Sequence, residues 1–154
     1  MGKLLGIDVG KKNVGIAIAE IGSPIASPFG TFLRAQHRAE SKILEILSSN
    51  AVEKIIVGLP LNESGKLTDQ CKDVIDFTRR LKRRTDVDIL YVDEHLSSCV
   101  AQDKLTEAGK MANMKKQKGN IDKAAAAIIL QTFLDSEMNP KIMTHNEIEG
   151  LLSE

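Results

Sequence analysis

The chain has 154 residues, with 21 basic and 21 acidic side chains and a hydrophobic share of 42%. This length predicts one domain with a complete core, and no apolar run approaches the roughly 20 residues of a transmembrane helix. The two cysteines and three histidines lack the spacing of a zinc site or a disulfide framework.

Hydrophobic periodicity predicts an ordered series of strands and helices. Leu4–Ile7 and Val14–Ala19 are predicted strands, close enough to form a hairpin, and Phe29–Leu33 is a short third strand. The later elements are predicted as the helix Ala39–Ser49, the strand Lys54–Gly58, the helix Asp69–Arg84, the strand Ile89–Val92, the helix Ser97–Leu105 and the helix Asn120–Leu134.

This order indicates an α/β fold with a mixed sheet. Three antiparallel strands come first, then strands alternate with helices, which places helices on both faces. We expect one domain over residues 1–137 and a flexible tail over residues 138–154. The short apolar run at the start is not a secretory signal, so we expect a cytoplasmic protein without a membrane partner.

Three acidic residues stand at the ends of predicted elements. Asp8 closes the first strand, Glu94 follows the strand ending near Val92, and Asp122 opens the last helix. Ligands of open α/β sheets bind beside the carboxyl ends of strands. If the three carboxylates meet there, their repulsion favours a bound cation, and oxygen ligands suit Mg²⁺ or Mn²⁺.

Each acid also has a purely structural interpretation. Asp122, for example, is a favourable partner for the positive end of a helix dipole. The alanine run Ala124–Ala127 fits a helix packed closely on a sheet, but alanine is also the best helix former. The three acids together favour a function.

Basic residues are concentrated in two segments despite the zero net charge. Arg79–Arg84 is best interpreted as the solvated face of a helix. Lys115, Lys116 and Lys118 precede Asp122 and are suited to backbone phosphates. With one Tyr, four Phe and no Trp, stacking on single-stranded bases is poorly supported.

Four sequence motifs together resemble the YqgF/RuvX family of RNase H-like nucleases. The match runs in order from about Lys3 to Leu134. The motifs are Gly6-Ile-Asp-Val-Gly-Lys-Lys-Asn-Val-Gly-Ile-Ala17, Ile56-Val-Gly-Leu-Pro-Leu61, Val92-Asp-Glu-His-Leu-Ser-Ser98 and Lys115-Lys-Gln-Lys-Gly-Asn-Ile-Asp-Lys-Ala-Ala-Ala126.

The resemblance implies an RNase H-like fold and hydrolysis of nucleic acid. It implies that Asp8, Glu94 and Asp122 form a metal-binding catalytic triad, with Lys12 among the phosphate contacts. The implied substrate is the 5′ end of pre-16S ribosomal RNA, and branched DNA is the alternative.

The chain departs from the family pattern at a few positions. Asn13 and His95 stand where the family usually has Arg, and Ser97-Ser98 replace a Thr pair. Ala125 stands where resolvases carry a fourth acid. The changes at Asn13, His95 and Ser97-Ser98 weaken the implied phosphate contacts and leave the three carboxylates intact. The missing acid at Ala125 argues against a firmly held second metal.

Three other functions compete with a pre-16S nuclease. A Holliday junction resolvase would require a homodimer, because two cuts need two sites. A non-catalytic RNA-binding module for ribosome assembly is the second. A nucleotide-binding half of an actin-like protein is the third, and 154 residues supply only one of its two domains.

Overall fold

The computed structural model describes residues 2–61, 66–93, 118–135, 143–144, 147–148 and 150. For residues 93, 118–124 and 143–144 it describes the backbone. The predicted helix Ser97–Leu105 lies outside these ranges. In the part of the chain that is described, no helix has the length and apolar character needed to cross a membrane.

The described strands form one mixed sheet in the order β3-β2-β1-β4-β5-β6. They are β1 Lys3–Val9, β2 Asn13–Glu20, β3 Ser27–Leu33, β4 Val52–Leu59, β5 Asp88–Asp93 and β6 Met143–Thr144. Pairing is antiparallel from β1 to β2 and from β2 to β3, parallel from β1 to β4 and from β4 to β5, and antiparallel again from β5 to β6. The predicted mixed sheet is confirmed.

Helices cover both faces of the sheet. They are α1 Arg38–Ser49, α2 Asp69–Lys82 and α3 Lys118–Leu134, with a short 3-10 helix at Ala35–His37. α1 and α2 pack on one face against Leu5, Ile7 and Val9 of β1. α3 packs on the other face, against residues that include Leu4. Successive side chains of a strand point to opposite faces, so β1 contributes to both cores.

The helix boundaries differ in detail from the prediction. α2 begins at Asp69, and Thr68 caps it, because the side-chain oxygen of Thr68 accepts a hydrogen bond from the backbone N of Cys71 at 3.2 Å. Cys71 is a buried free thiol. α3 begins at Lys118, two residues before the predicted start. Gly119 is one of these two residues. Because glycine is unfavourable in a helix by about 1 kcal/mol, the sequence pattern predicted the start of the helix too late.

Part of the segment expected to form a tail is attached to the sheet. Met143 pairs with Tyr91 of β5, and Ile148 is completely buried in the core beneath α1 and α2. The division of the chain at residue 137 stays a prediction.

Candidate active site

Asp8 lies at the carboxyl end of β1, between β2 and β4. Its Cα pairs with Gly15 of β2, and the preceding Ile7 pairs with Val57 of the parallel strand β4. This is the edge of the sheet where ligands of α/β folds bind.

The side chain of Asp8 is half-buried on the face that α3 covers. Glycines flank it on both neighbouring strands, since Gly15 is its partner in β2 and Gly58 follows Val57 in β4. Within the described chain, no hydrogen bond or ion pair engages its carboxylate. Partial burial of a carboxylate without a hydrogen-bond or charge partner costs free energy. A bound cation would offset this cost.

Gly6 allows α3 to lie very close to β1. A Cβ built on Gly6 would lie 2.7 Å from the Cβ of Leu130 and 2.9 Å from the carbonyl oxygen of Ala126. No residue with a side chain fits such an approach without moving the helix. The expectation that the alanine run permits close packing is met at Ala126, which is fully buried.

Gln131 shows the direction in which α3 crosses the sheet. Its side chain accepts a hydrogen bond from the backbone N of Ala26 at 2.9 Å and donates one to the carbonyl oxygen of Pro24 at 2.8 Å. The loop that contains them joins β2 to β3 beside the amino end of β1. α3 therefore runs antiparallel to β1, and its amino-terminal half points toward Asp8.

The backbone of α3 brings Asp122 to the same end of the sheet as Asp8. Asp122 is the fifth residue of the helix, four residues or about 6 Å before the level of Ala126. Asp8 lies two residues, or about 6.8 Å, beyond Gly6 in the same direction. Because Asp122 lies beyond the first turn, the helix dipole explains it less well than the sequence suggested.

The end of β5 lies at this edge as well. Asp93, the last residue of β5, pairs with Leu59 of β4. Only β4 separates β5 from β1, so these two strands are about 10 Å apart. Glu94 is the next residue in the sequence and lies outside the described residues.

The predicted phosphate contacts are described only in part. Lys12 is exposed in the turn between β1 and β2. Lys118 begins α3, whose amino-terminal half points toward the end of the sheet that carries Asp8. Lys115 and Lys116 lie outside the described residues.

The described residues are compatible with an oxygen-coordinated cation at Asp8. Its carboxylate is accessible and unpartnered within that part of the chain, as a ligand for Mg²⁺ or Mn²⁺ requires. The residues described here contain no group of three metal-ligating side chains. The other two predicted ligands are Glu94 and the side chain of Asp122, which are not among them.

Arg34 joins the turn after β1 to α2, a contact that the sequence did not predict. Its guanidinium group donates to the carbonyl oxygen of Gly10 at 2.9 Å and to both carboxylate oxygens of Asp73 at 2.7 and 3.1 Å. The hydrogen bond and charge of Arg34 hold the pKa of Asp73 below its usual range. No spacing rule links positions so far apart in the sequence.

A second unexpected contact holds α1 against α2. Glu40 is buried and accepts from the side chains of His37 at 3.1 Å and Arg80 at 3.3 Å. Burial raises the pKa of Glu40, but these hydrogen bonds and charges outweigh burial and leave the pKa below its usual value. Arg80 is therefore more than a solvated residue. The sequence did contain a signal for this contact. Glu40 lies three positions before Ile43, which places it on the buried side of α1.

Comparisons with known proteins agree with this geometry. The chain matches the family described as "RuvX: Holliday junction resolvase" over residues 2–136. It is 38% identical over 138 residues to the "Putative pre-16S rRNA nuclease" of Caldanaerobacter subterraneus subsp. tengcongensis, covering 89% of this chain and 99% of that protein. It is 42% identical over 133 residues to the protein of the same name from Maridesulfovibrio salexigens, covering 86% and 97%.

Two solved structures share the fold. T. thermophilus RuvC in complex with a Holliday junction matches with a TM-score of 0.56 at 15% identity, covering 93% of this chain and 100% of that one. Fowlpox virus resolvase in complex with a Holliday junction matches with a TM-score of 0.51 at 14% identity, covering 89% and 99%. The RNase H-like fold is confirmed.

The sequence relatives also confirm the predicted enzyme class, a nuclease that hydrolyses phosphodiester bonds. The level of identity and the nearly complete coverage are far beyond what a shared fold alone produces. The chain belongs to the RuvX family.

Proposed function

We propose that this protein is a divalent-metal-dependent nuclease that processes the 5′ end of pre-16S ribosomal RNA. The observation that carries the proposal is Asp8, a half-buried carboxylate with no partner in the described chain, at the end of β1 where α3 arrives. The names of the relatives from Caldanaerobacter subterraneus subsp. tengcongensis and Maridesulfovibrio salexigens supply the substrate. Ribosomal RNA as substrate implies a cytoplasmic location.

Three carboxylates hold the cation in this proposal. Asp8 and Glu94 would hold Mg²⁺ or Mn²⁺, and Asp122 would complete the site and orient the attacking water. When bound, the cation supplies charge neutralisation at the phosphodiester and acidifies a water molecule. The position of Asp8 on a central strand keeps its carboxylate fixed relative to the scissile phosphate.

Lysines bind the backbone of the substrate on either side of the carboxylates. Lys12 extends from the turn after β1, and Lys115, Lys116 and Lys118 belong to the segment at the start of α3. Contacts of this kind position a strand without reading its bases. The scarcity of aromatic residues fits recognition of a folded backbone rather than stacked single-stranded bases.

A Holliday junction resolvase is the second candidate function. The description of the matching family favours it. A resolvase cuts two opposed strands, so this function requires a homodimer with one site in each copy. In both candidate functions the same carboxylates carry out cleavage. The two functions therefore differ in the substrate that is cut and in the oligomeric state of the protein.

A cleavage assay tests the proposed function. Purified protein and its Asp8→Asn variant are incubated with a pre-16S 5′-end transcript and a four-way DNA junction, with Mg²⁺, Mn²⁺ or EDTA. We expect metal-dependent cleavage of the transcript by the wild type and a loss of at least about 100-fold in the variant. Circular dichroism of the variant serves as the folding control.

Each other outcome has a defined meaning. Cleavage of the junction alone, by a dimer in gel filtration, would establish the resolvase instead. Tight RNA binding without cleavage under any metal would identify a non-catalytic ribosome-assembly module. Full activity of Asp8→Asn would refute the carboxylate mechanism.

A further inference from the structure

The turn that follows Asp8 is tightly closed. The backbone N of Gly10 donates to the carbonyl oxygen of Asn13 at 2.8 Å. A Cβ built on Gly10 would lie 2.9 Å from that oxygen, so the turn requires a glycine. Lys11 and Lys12 are exposed at its tip. We call the segment Gly10–Lys12 the lysine turn.

Arg34 holds both ends of the lysine turn. Its backbone N donates to the carbonyl oxygen of Lys12 at 2.8 Å, and its guanidinium group donates to the carbonyl oxygen of Gly10 at 2.9 Å. The first contact uses the main chain at the end of β3. The second uses the side chain, so only the second depends on the identity of the residue.

The other side of the guanidinium group is fixed to α2. Nη1 and Nη2 of Arg34 form a bidentate pair with Asp73, and the group lies over the ring of Phe77 at 5.5 Å. The Arg34 side chain is only 17% exposed. The planar fork of arginine satisfies a carboxylate and a carbonyl oxygen together, whereas the single ammonium group of lysine cannot reproduce this geometry.

The contacts of Arg34 point to a role in orientation. A partly exposed ion pair adds little to stability, about 0–1 kcal/mol. A turn held at both ends, however, keeps its lysines in one place, and pre-organised groups bind a ligand without an ordering cost. The same turn connects directly to the end of β1 that carries Asp8.

We propose that Arg34 is a positioning residue of the nuclease site. It holds the lysine turn against α2 so that Lys12 meets a backbone phosphate of the nucleic acid. This inference rests on the proposed function. Three of the five N–H donors of the Arg34 guanidinium group bond Gly10 and Asp73, so the described contacts of Arg34 support the turn and α2.

Hydrogen exchange and kinetics of matched variants test this role. Arg34→Ala and Arg34→Lys are compared with Arg38→Ala, which removes an exposed arginine that bonds only Gln36 in the described chain. We expect both Arg34 variants, but not Arg38→Ala, to speed amide exchange at Gly10 and raise KM for the RNA about tenfold, with kcat within about twofold of wild type. Asp73→Asn gives a weaker effect of the same kind if Arg34→Ala folds poorly.

A double-mutant cycle with Lys12→Ala identifies the path of the effect. If Arg34 acts through Lys12, the double variant has the same KM as Lys12→Ala alone. Fully additive effects, or unchanged exchange at Gly10 in Arg34→Ala, would overturn the positioning role. A wild type that neither binds nor cleaves RNA would instead overturn the proposed function on which this role rests.

Discussion

At the scale of single residues, one glycine sets how closely α3 packs on β1. Gly15 and Gly58 also lie beside Asp8 on the two neighbouring strands. Gly6 allows α3 to approach β1, which brings Asp122 toward Asp8. A side chain at Gly6 would fill the space that the helix needs.

Gly6→Ala tests how strictly this packing is required. The added methyl group would meet the backbone of Ala126 and the Cβ of Leu130, and neither can move without shifting α3. We expect a loss of about 1–3 kcal/mol in the free energy of unfolding, measured by urea denaturation. Gly150→Ala is the control, because a Cβ there meets nothing within 4 Å. Equal stability of the two variants would contradict the close packing of α3.

Glu40 gives the protein an acid-sensitive contact. Its pKa is lowered in the folded state, so its stabilisation is complete above the ordinary carboxyl pKa of about 4.3 and is lost as the pH falls through the folded-state value. We therefore expect the urea midpoint of the wild type to fall more steeply than that of Glu40→Gln as the pH drops below about 5.

Glu45→Gln is the matched control for this measurement. Glu45 lies on the same helix, but its side chain is 65% exposed and contacts only Lys42 at 3.4 Å in the described chain. This variant should keep the wild-type pH dependence. If Glu40→Gln also keeps it, the contact between Glu40, His37 and Arg80 does not contribute to stability.

At the scale of elements, the orientation of α3 decides whether the site forms. Gln131 fixes that orientation through the loop between β2 and β3. Its side chain accepts one hydrogen bond from this loop and donates another to it. Gln131→Leu removes both bonds while keeping the size of the side chain. We expect faster amide exchange at Ala26 and a loss of about 1 kcal/mol in stability.

Thr132→Val provides the comparison for Gln131→Leu. Among the described residues, the Thr132 hydroxyl bonds only the carbonyl oxygen of Ile128 within α3, so its loss should leave exchange at Ala26 unchanged. An unchanged Ala26 amide in Gln131→Leu would mean that other contacts orient the helix.

The elements were predictable where periodicity is strong and local. Apolar runs such as Leu4–Ile7 and Lys54–Gly58 predict buried strands, and the amphipathic pattern after Asp69 predicts α2. The start of α3 was predicted two residues too late, because Gly119 is unfavourable in a helix. Contacts such as that between Arg34 and Asp73 join distant segments, so no local pattern reveals them.

At the scale of the whole molecule, the proposed active site is an assembly of distant segments. Asp8 comes from the first strand and Asp122 from the last long helix, and the sheet order places β5 two strands from β1. The sequence predicts a site at the three acids because each stands beside the end of a predicted element. It could not supply the distance between them, since that distance depends on the packing of α3 over Gly6.

The central claim is that Asp8, Glu94 and Asp122 bind one cation together. The most direct test is a titration with Mn²⁺, followed by electron paramagnetic resonance, of the wild type and of Asp8→Asn, Glu94→Gln and Asp122→Asn. We predict that each substitution weakens Mn²⁺ affinity at least about tenfold while circular dichroism stays unchanged. Wild-type affinity in Glu94→Gln and Asp122→Asn would contradict the claim, because Asp8 would then bind the ion without them.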